Sequence, residues 1–254
     1  MATQTSVQPS TLDSFFTSQP DIPFALPSSP NYAEFRGRSA IKTAAIPLAI
    51  ATPRNAEHLS LLVKHLSFNR VPFVVRSGGN NLFGKSMVDG AVIIDMRHLS
   101  YCRIHDDKNL ASIGGGILMA DLITALGREG LSTATGMVPW IGFTGWSTYG
   151  GYGPFARKFG LGFEQIVAAK LVNWEGKVIE ADEDLLKGIK GAGGSFGVIV
   201  ELKIRTYPLK QVSFVLPSFK LIKLGTDCAI FALWTCGVRR YRRQGHDWPS
   251  AIRT

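Results

Sequence analysis

Between Leu110 and Pro208 the chain runs into glycine three times, in IGGGILMADLITALG, in GMVPWIGFTGWSTYGGYGPFARKFGLGFEQIV and in IKGAGGSFGVIVELKIRTYPL. Glycine loses more backbone entropy on folding than any other residue, so such density belongs where main chain must approach a ligand or another segment closely. A fourth glycine turn lies upstream in VVRSGGNNLFG, Val74 to Gly84, where a run of apolar β-formers stops at Arg76 and bare backbone follows. Gly and Asn serve two purposes at such a place. One is a plain turn, which needs only residues tolerant of positive φ; the other is an anion site, where successive N–H groups converge on a phosphate. Taken alone, the stretch reads as a turn.

The rest of the chain sets these loops in an α+β framework. Residues 1–43 are rich in Ser, Thr and Pro and read as an irregular N-terminal segment. From Ala44 to Asp95 strand and helix alternate: IPLAIAT is extended, and Thr52-Pro53 marks a helix start with Pro in the first turn. Leu59, Leu62, Val63 and Leu66 then share one helical face, and PFVVR and AVIID are short apolar runs of the buried-strand kind. Downstream, a helix carries Ile117, Leu118, Leu122 and Leu126, and a last strand is expected to turn Val198, Val200, Leu202 and Ile204 inward.

Composition narrows the function classes. With 254 residues and 45% apolar content the chain buries a substantial core. Its net charge of +9 is concentrated in residues 210–254, where eight Lys or Arg against Asp227 and Asp247 make a local +6. The dense cluster is RRYRR at 239–243, a solvated basic tail rather than a nucleic-acid surface. No charged flank with an apolar core opens the chain, and the longest apolar run, Ala229 to Trp234, is too short to cross a bilayer. Cys102, Cys228 and Cys236 match neither a disulfide framework nor a zinc site, and the five histidines show no metal-ligand spacing. No metal, no membrane span and a cytoplasmic location are therefore expected.

One nucleotide motif can be set aside. Gly151-Tyr-Gly153-Pro-Phe-Ala156 has the spacing of a dinucleotide turn, but no apolar strand leads into it and Pro154 interrupts it.

Five pieces in order carry a resemblance: RSGGNN, DGAVIIDMRHLS, ASIGGG, GMVPWIGFTGWSTYGGYGPFARKFGL and GAGGSFGVIVELKIRTYPL. From about Ala44 to Leu209 the chain resembles the PCMH-type FAD-binding domain of berberine bridge enzyme-like, vanillyl-alcohol oxidase-type flavoproteins. The resemblance implies an α+β fold of two subdomains, about 44–106 and 107–209, with FAD in the cleft between them. It assigns Arg76, Ser77, Gly78, Gly79, Asn80 and Asn81 to the FAD pyrophosphate. Gly142, Thr144, Gly145 and Ser147, with Gly150, Gly151 and Gly153, fall beside the flavin ring and diphosphate. Gly197, Val198 and Ile199 fall at the adenosine end. For each glycine the alternative is a tight turn, and for Val198 a core position.

Many members of this family link FAD covalently through a histidine in R-S-G-G-H or a cysteine in G-x-C-P. Here those positions hold Asn80 and Val138, which implies a non-covalent cofactor. The resemblance further implies hydride transfer from a small-molecule substrate to flavin, with dioxygen as acceptor and a place in secondary metabolism. Tyr149 and Tyr152 are the phenols of the ring-side loop, each either orienting substrate or packing against the cofactor. Family members continue into a substrate domain, whereas forty-five residues follow Leu209 here, read as a short basic tail left from that domain. An open flavin face would then be covered by a partner chain or oligomer. Two alternatives stand beside the oxidoreductase: a flavin-binding but catalytically incomplete fragment, and an interaction protein acting through its basic tail.

Overall fold

The computed structural model describes residues 9–37 and 43–209. The segment 210–254, with its basic cluster, its apolar run and Cys228 and Cys236, lies outside the described residues.

The chain begins with α1 (Pro9–Ser18), β1 (Phe24–Ala25) and α2 (Tyr32–Gly37), so the N-terminal segment is not the irregular one expected. Leu12, Phe15 and Phe16 fall at helical spacing and bury in the core, and the Phe16 ring stacks on Phe24 at 4.1 Å. Turn-forming Ser and Pro residues surround these few apolar side chains and hide their periodicity. Next come β2 (Ala49–Ala51), α3 (Ala56–Phe68), β3 (Phe73–Arg76) and β4 (Val92–Asp95). Helix α3 starts later than Pro53 suggests, because the Asn55 side chain caps it by accepting from His58 N at 2.8 Å. Leu59, Leu62, Val63 and Leu66 are all buried. The strands form one sheet in the order β1-β2-β4-β3, with β2 and β3 both parallel to β4 and β1 antiparallel on the edge.

The second sheet is antiparallel, in the order β5-β6-β10-β8-β9. It comprises β5 (Cys102–Ile104), β6 (Leu110–Gly114), β8 (Ile166–Val172), β9 (Val178–Glu180) and β10 (Val198–Arg205). Between β6 and β8 the chain forms α4 (Met119–Arg128), β7 (Leu131–Ser132), α5 (Phe143–Thr148) and α6 (Ala156–Phe159). Helix α7 (Glu183–Ala192) precedes β10, and β11 (Tyr207–Pro208) pairs with β7.

Strand β10 does not keep the single inward face expected. Val198 and Val200 bury in the core of the first sheet, whereas Ile199, Leu202 and Ile204 bury in the core of the second. A bulge explains the switch: the register passes from Ile199 opposite Leu171 to Glu201 opposite Lys170, leaving Val200 as the extra residue. One strand thus feeds both cores and ties the two sheets together. At the same seam, side chains on Gly115 and Gly116 would collide with the carbonyls of Ile199 and Met96. Gly116 thus serves main-chain contact between the sheets, while Gly115 lets β6 and β10 meet within the second.

Candidate functional site

Strand β3 delivers the first glycine turn but keeps its arginine inside. The Arg76 side chain is fully buried, donating from Nη2 to Asp95 Oδ2 at 2.6 Å and to the Phe35 carbonyl at 2.7 Å. Its guanidinium is held by β4 and α2, so only the main chain of Arg76 is left for the phosphate role expected of it.

Past Arg76 the chain turns through Ser77 to Asn81, with Gly79 at φ +67°. A Cβ on Gly78 would fall against the Trp140 carbonyl and 2.6 Å from Gly142 N, so this turn touches the segment leading into α5. The Ser77 hydroxyl faces Gly142, and Asn80 Nδ2 donates to the carbonyls of Gly78 at 2.9 Å and Trp140 at 2.8 Å. Asn81 instead stabilises its own turn, its Oδ1 accepting from Phe83 N and Lys85 N.

Helix α5 links this turn to the third. At one end Gly142 meets Gly78; at the other the exposed Tyr149 ring lies against Gly193, leaving no room for a Cβ there. The three glycine turns at 77–81, 142–153 and 193–197 therefore gather about one short helix. Thr144 is 8% exposed and its Oγ1 has no partner, nor has the buried Ser77 Oγ. Gly145 faces open space and Gly150 is equally uncrowded. Ser147 is fully buried, its Oγ donating to the Thr144 carbonyl at 3.3 Å, so it closes the helix rather than offering a group outward.

Gly151 and Gly153 turn their Cβ sides to the protein rather than to open space. The Trp146 indole lies in a slot bounded by Gly136, Gly151, Gly153 and Gly162, where a Cβ on Gly162 would come 2.5 Å from the ring. Its Nε1 donates to the Tyr152 carbonyl at 3.3 Å. Sequence reasoning missed Trp146; four glycines around one large aromatic was the available signal. Val198 and Ile199 likewise commit their side chains to the two cores, and a Cβ on Gly197 would meet Leu171 Cδ1 at 2.9 Å. These three positions leave main chain only for a ligand. Tyr152 is 80% exposed. On the far sheet, burial pushes the Cys102 thiol up to about 11, so it carries no thiolate near neutral pH. Among the described residues no three His, Cys, Asp or Glu side chains cluster as metal ligands, and no helix is long and apolar enough to cross a membrane.

The family model described as the FAD binding domain matches residues 47–182, which include two of the three gathered turns. The chain belongs to that FAD-binding family. FAD-linked oxidoreductase aurO of Gibberella zeae is 38% identical over 195 residues, covering 76% of this chain and 38% of that protein. The (R)-6-hydroxynicotine oxidase of Paenarthrobacter nicotinovorans is 35% identical over 169 residues, 65% of this chain and 37% of that one. Among solved structures, 6-hydroxy-D-nicotine oxidase from Arthrobacter nicotinovorans superposes with a TM-score of 0.70 at 30% identity, over 74% of this chain and 42% of that one. The fold is thus the α+β, PCMH-type FAD-binding fold, and FAD is its cofactor. The chain spans about two-fifths of the length of these relatives.

Proposed function

We propose that this chain is the cofactor-holding part of an FAD-dependent oxidoreductase that oxidises a small organic substrate, with dioxygen as electron acceptor. The observation that carries the reading is the gathering of three glycine turns about α5, with the Ser77 and Thr144 hydroxyls buried there and unpartnered. A buried polar group without a partner costs about 1–3 kcal/mol, which an anionic oxygen between the turns would relieve. The N–H groups of Gly78 and Gly142 add two donors, neither having a main-chain acceptor outside the sheet ladders. Donors to a charged oxygen form hydrogen bonds roughly twice as strong as neutral pairs. No residue of the three turns is acidic, so nothing in them repels a diphosphate. These groups fit FAD.

Bound there, FAD would supply the redox chemistry by accepting hydride from the substrate. The protein holds it without a covalent bond, because neither the Asn80 carboxamide nor the Val138 isopropyl group offers a nucleophilic atom. A relative in Cannabis sativa, 32% identical over 177 residues, is named cannabidiolic acid synthase-like 2, which supports a substrate from secondary metabolism. A second reading, an FAD-binding module that turns over only when another polypeptide segment covers the flavin, is favoured by the exposure of Tyr149 and Tyr152 at 65% and 80%. Substrate beside them would stand in water, with its positioning lost.

Acid precipitation of the purified chain tests the cofactor reading. Yellow flavin is expected in the supernatant; colour kept in the pellet refutes non-covalent attachment, and a chain that takes up no added FAD refutes the flavin site. Stopped-flow flavin reduction with candidate alcohols and amines then separates the two readings, since a module without its cover leaves the flavin oxidised.

A further inference from the structure

We propose that Asn80 is the positioning residue of the flavin cradle, a clamp whose carboxamide holds the 77–81 turn against the 140–142 segment; this rests on the reading of the site as an FAD cradle. The two segments come from different parts of the fold. One follows β3 of the first sheet, and the other leads into α5 beside the second. They meet main chain to main chain at Gly78, with the Trp140 carbonyl and Gly142 N on the other side. Asn80 Nδ2 bridges this contact, 2.9 Å from Gly78 O and 2.8 Å from Trp140 O.

The chemistry selects a primary amide. A carboxamide carries two N–H hydrogens on one nitrogen and so serves two carbonyls at once. Asp offers no donor when ionised, and Ala none at all. Without the clamp, two carbonyl dipoles would sit close together with no hydrogen between them, and the segments would part. Gly78 N, Gly142 N, Ser77 Oγ and Thr144 Oγ1 belong to the two sides of this contact, so parting them spreads the donors that a diphosphate needs together. Asn80 then acts through the main chain around it. A chain with no covalent tether to its flavin depends the more on a site shaped before the ligand arrives.

The test uses the full 254-residue chain and its variants Asn80→Ala, Asn80→Asp and Asn80→Gln, titrated calorimetrically with FAD and with ADP, which has the diphosphate but no flavin ring. Two hydrogen bonds at about 0.5–1.5 kcal/mol each correspond to a loss of about five- to 150-fold in affinity. Asn80→Ala should show that loss for both probes, Asn80→Asp a larger one, and Asn80→Gln, which keeps the NH2 group, a partial recovery. In the cofactor-free protein, peptides spanning 77–84 and 137–143 should exchange their amide hydrogens faster in Asn80→Ala than in the parent. A variant that loses FAD affinity but binds ADP as the parent does would show that Asn80 meets the flavin ring directly, overturning the clamp. Unchanged hydrogen exchange in both peptides would overturn it as well. If the parent binds neither probe, the FAD reading itself fails, and the exchange comparison alone decides whether the clamp exists.

Discussion

Replacing Arg76 with Met should destabilise the chain by about 3–5 kcal/mol, the range for removing one partner of a buried ion pair and leaving the other charge unpaired. Both side chains of the Arg76–Asp95 pair are fully buried, so solvent screening does not discount that figure. Asp95 cannot turn to water, since its Oδ1 also accepts from Arg97 N at 3.1 Å. Met fills a similar volume without charge. It also removes Nε and Nη1, two buried donors that have no partner, so the cost arises at Asp95 and at the vacated Phe35 carbonyl. In a domain of this size each kcal/mol moves the melting temperature by about 2–4 °C, giving a drop of roughly 6–20 °C. Urea unfolding followed by far-UV circular dichroism measures the loss directly. The double variant Arg76→Met/Asp95→Asn should recover a good part of it, with a coupling of at least about 1.5 kcal/mol. Because the guanidinium faces β4 and α2, folded Arg76→Met protein should bind FAD with the parent's dependence on salt. A variant of near-parental stability with lost FAD affinity would refute this reasoning and return Arg76 to the phosphate.

Gly162→Ala places a methyl group against the Trp146 indole and, at 3.0 Å, the Ser147 main chain; overpacking of this kind costs about 1–3 kcal/mol, read by urea unfolding together with a shift in tryptophan emission. A parental emission spectrum and urea midpoint would mean that the slot has slack. The third prediction concerns Glu201, which joins β10 to the start of the second sheet by accepting from Tyr101 Oη at 2.7 Å and Arg103 Nη2 at 2.6 Å. Burial raises its pKa, but those hydrogen bonds and the charges of Arg103 and Lys170 outweigh it and hold the carboxyl below its usual 4.5. A depressed folded-state value contributes stability above the usual carboxylate range and loses it as pH falls through the folded value. The stability gap between parent and Glu201→Gln should therefore be present at pH 7 and shrink below about pH 4; a gap independent of pH would rule out the carboxylate as its source.

How much was legible in the sequence follows from the range of each interaction. Local signals carried well: the apolar face of α3 and the extended runs of β3 and β4 arise from spacing within a few residues, where backbone period alone sets which side chains share a face. The order of the glycine segments likewise pointed to the flavin family before any geometry was known. What each glycine does was not legible, because a missing Cβ tells of close approach without naming the partner. Only tertiary packing shows that Gly115 and Gly116 admit Ile199 and Met96, that Gly151 and Gly162 admit Trp146, and that Gly78 admits Trp140 and Gly142. Arg76 shows the same limit from the side of charge: beside glycines it reads as a phosphate ligand, and only the placement of Asp95 on the neighbouring strand turns it inward. The sequence by itself determined the central helix and strands, though not α1, β1 and α2, and that some main chain must lie bare. The tertiary structure decided what that bare main chain faces, because a contact between residues sixty or more positions apart, such as Asn80 with Trp140, leaves no periodic trace in the chain.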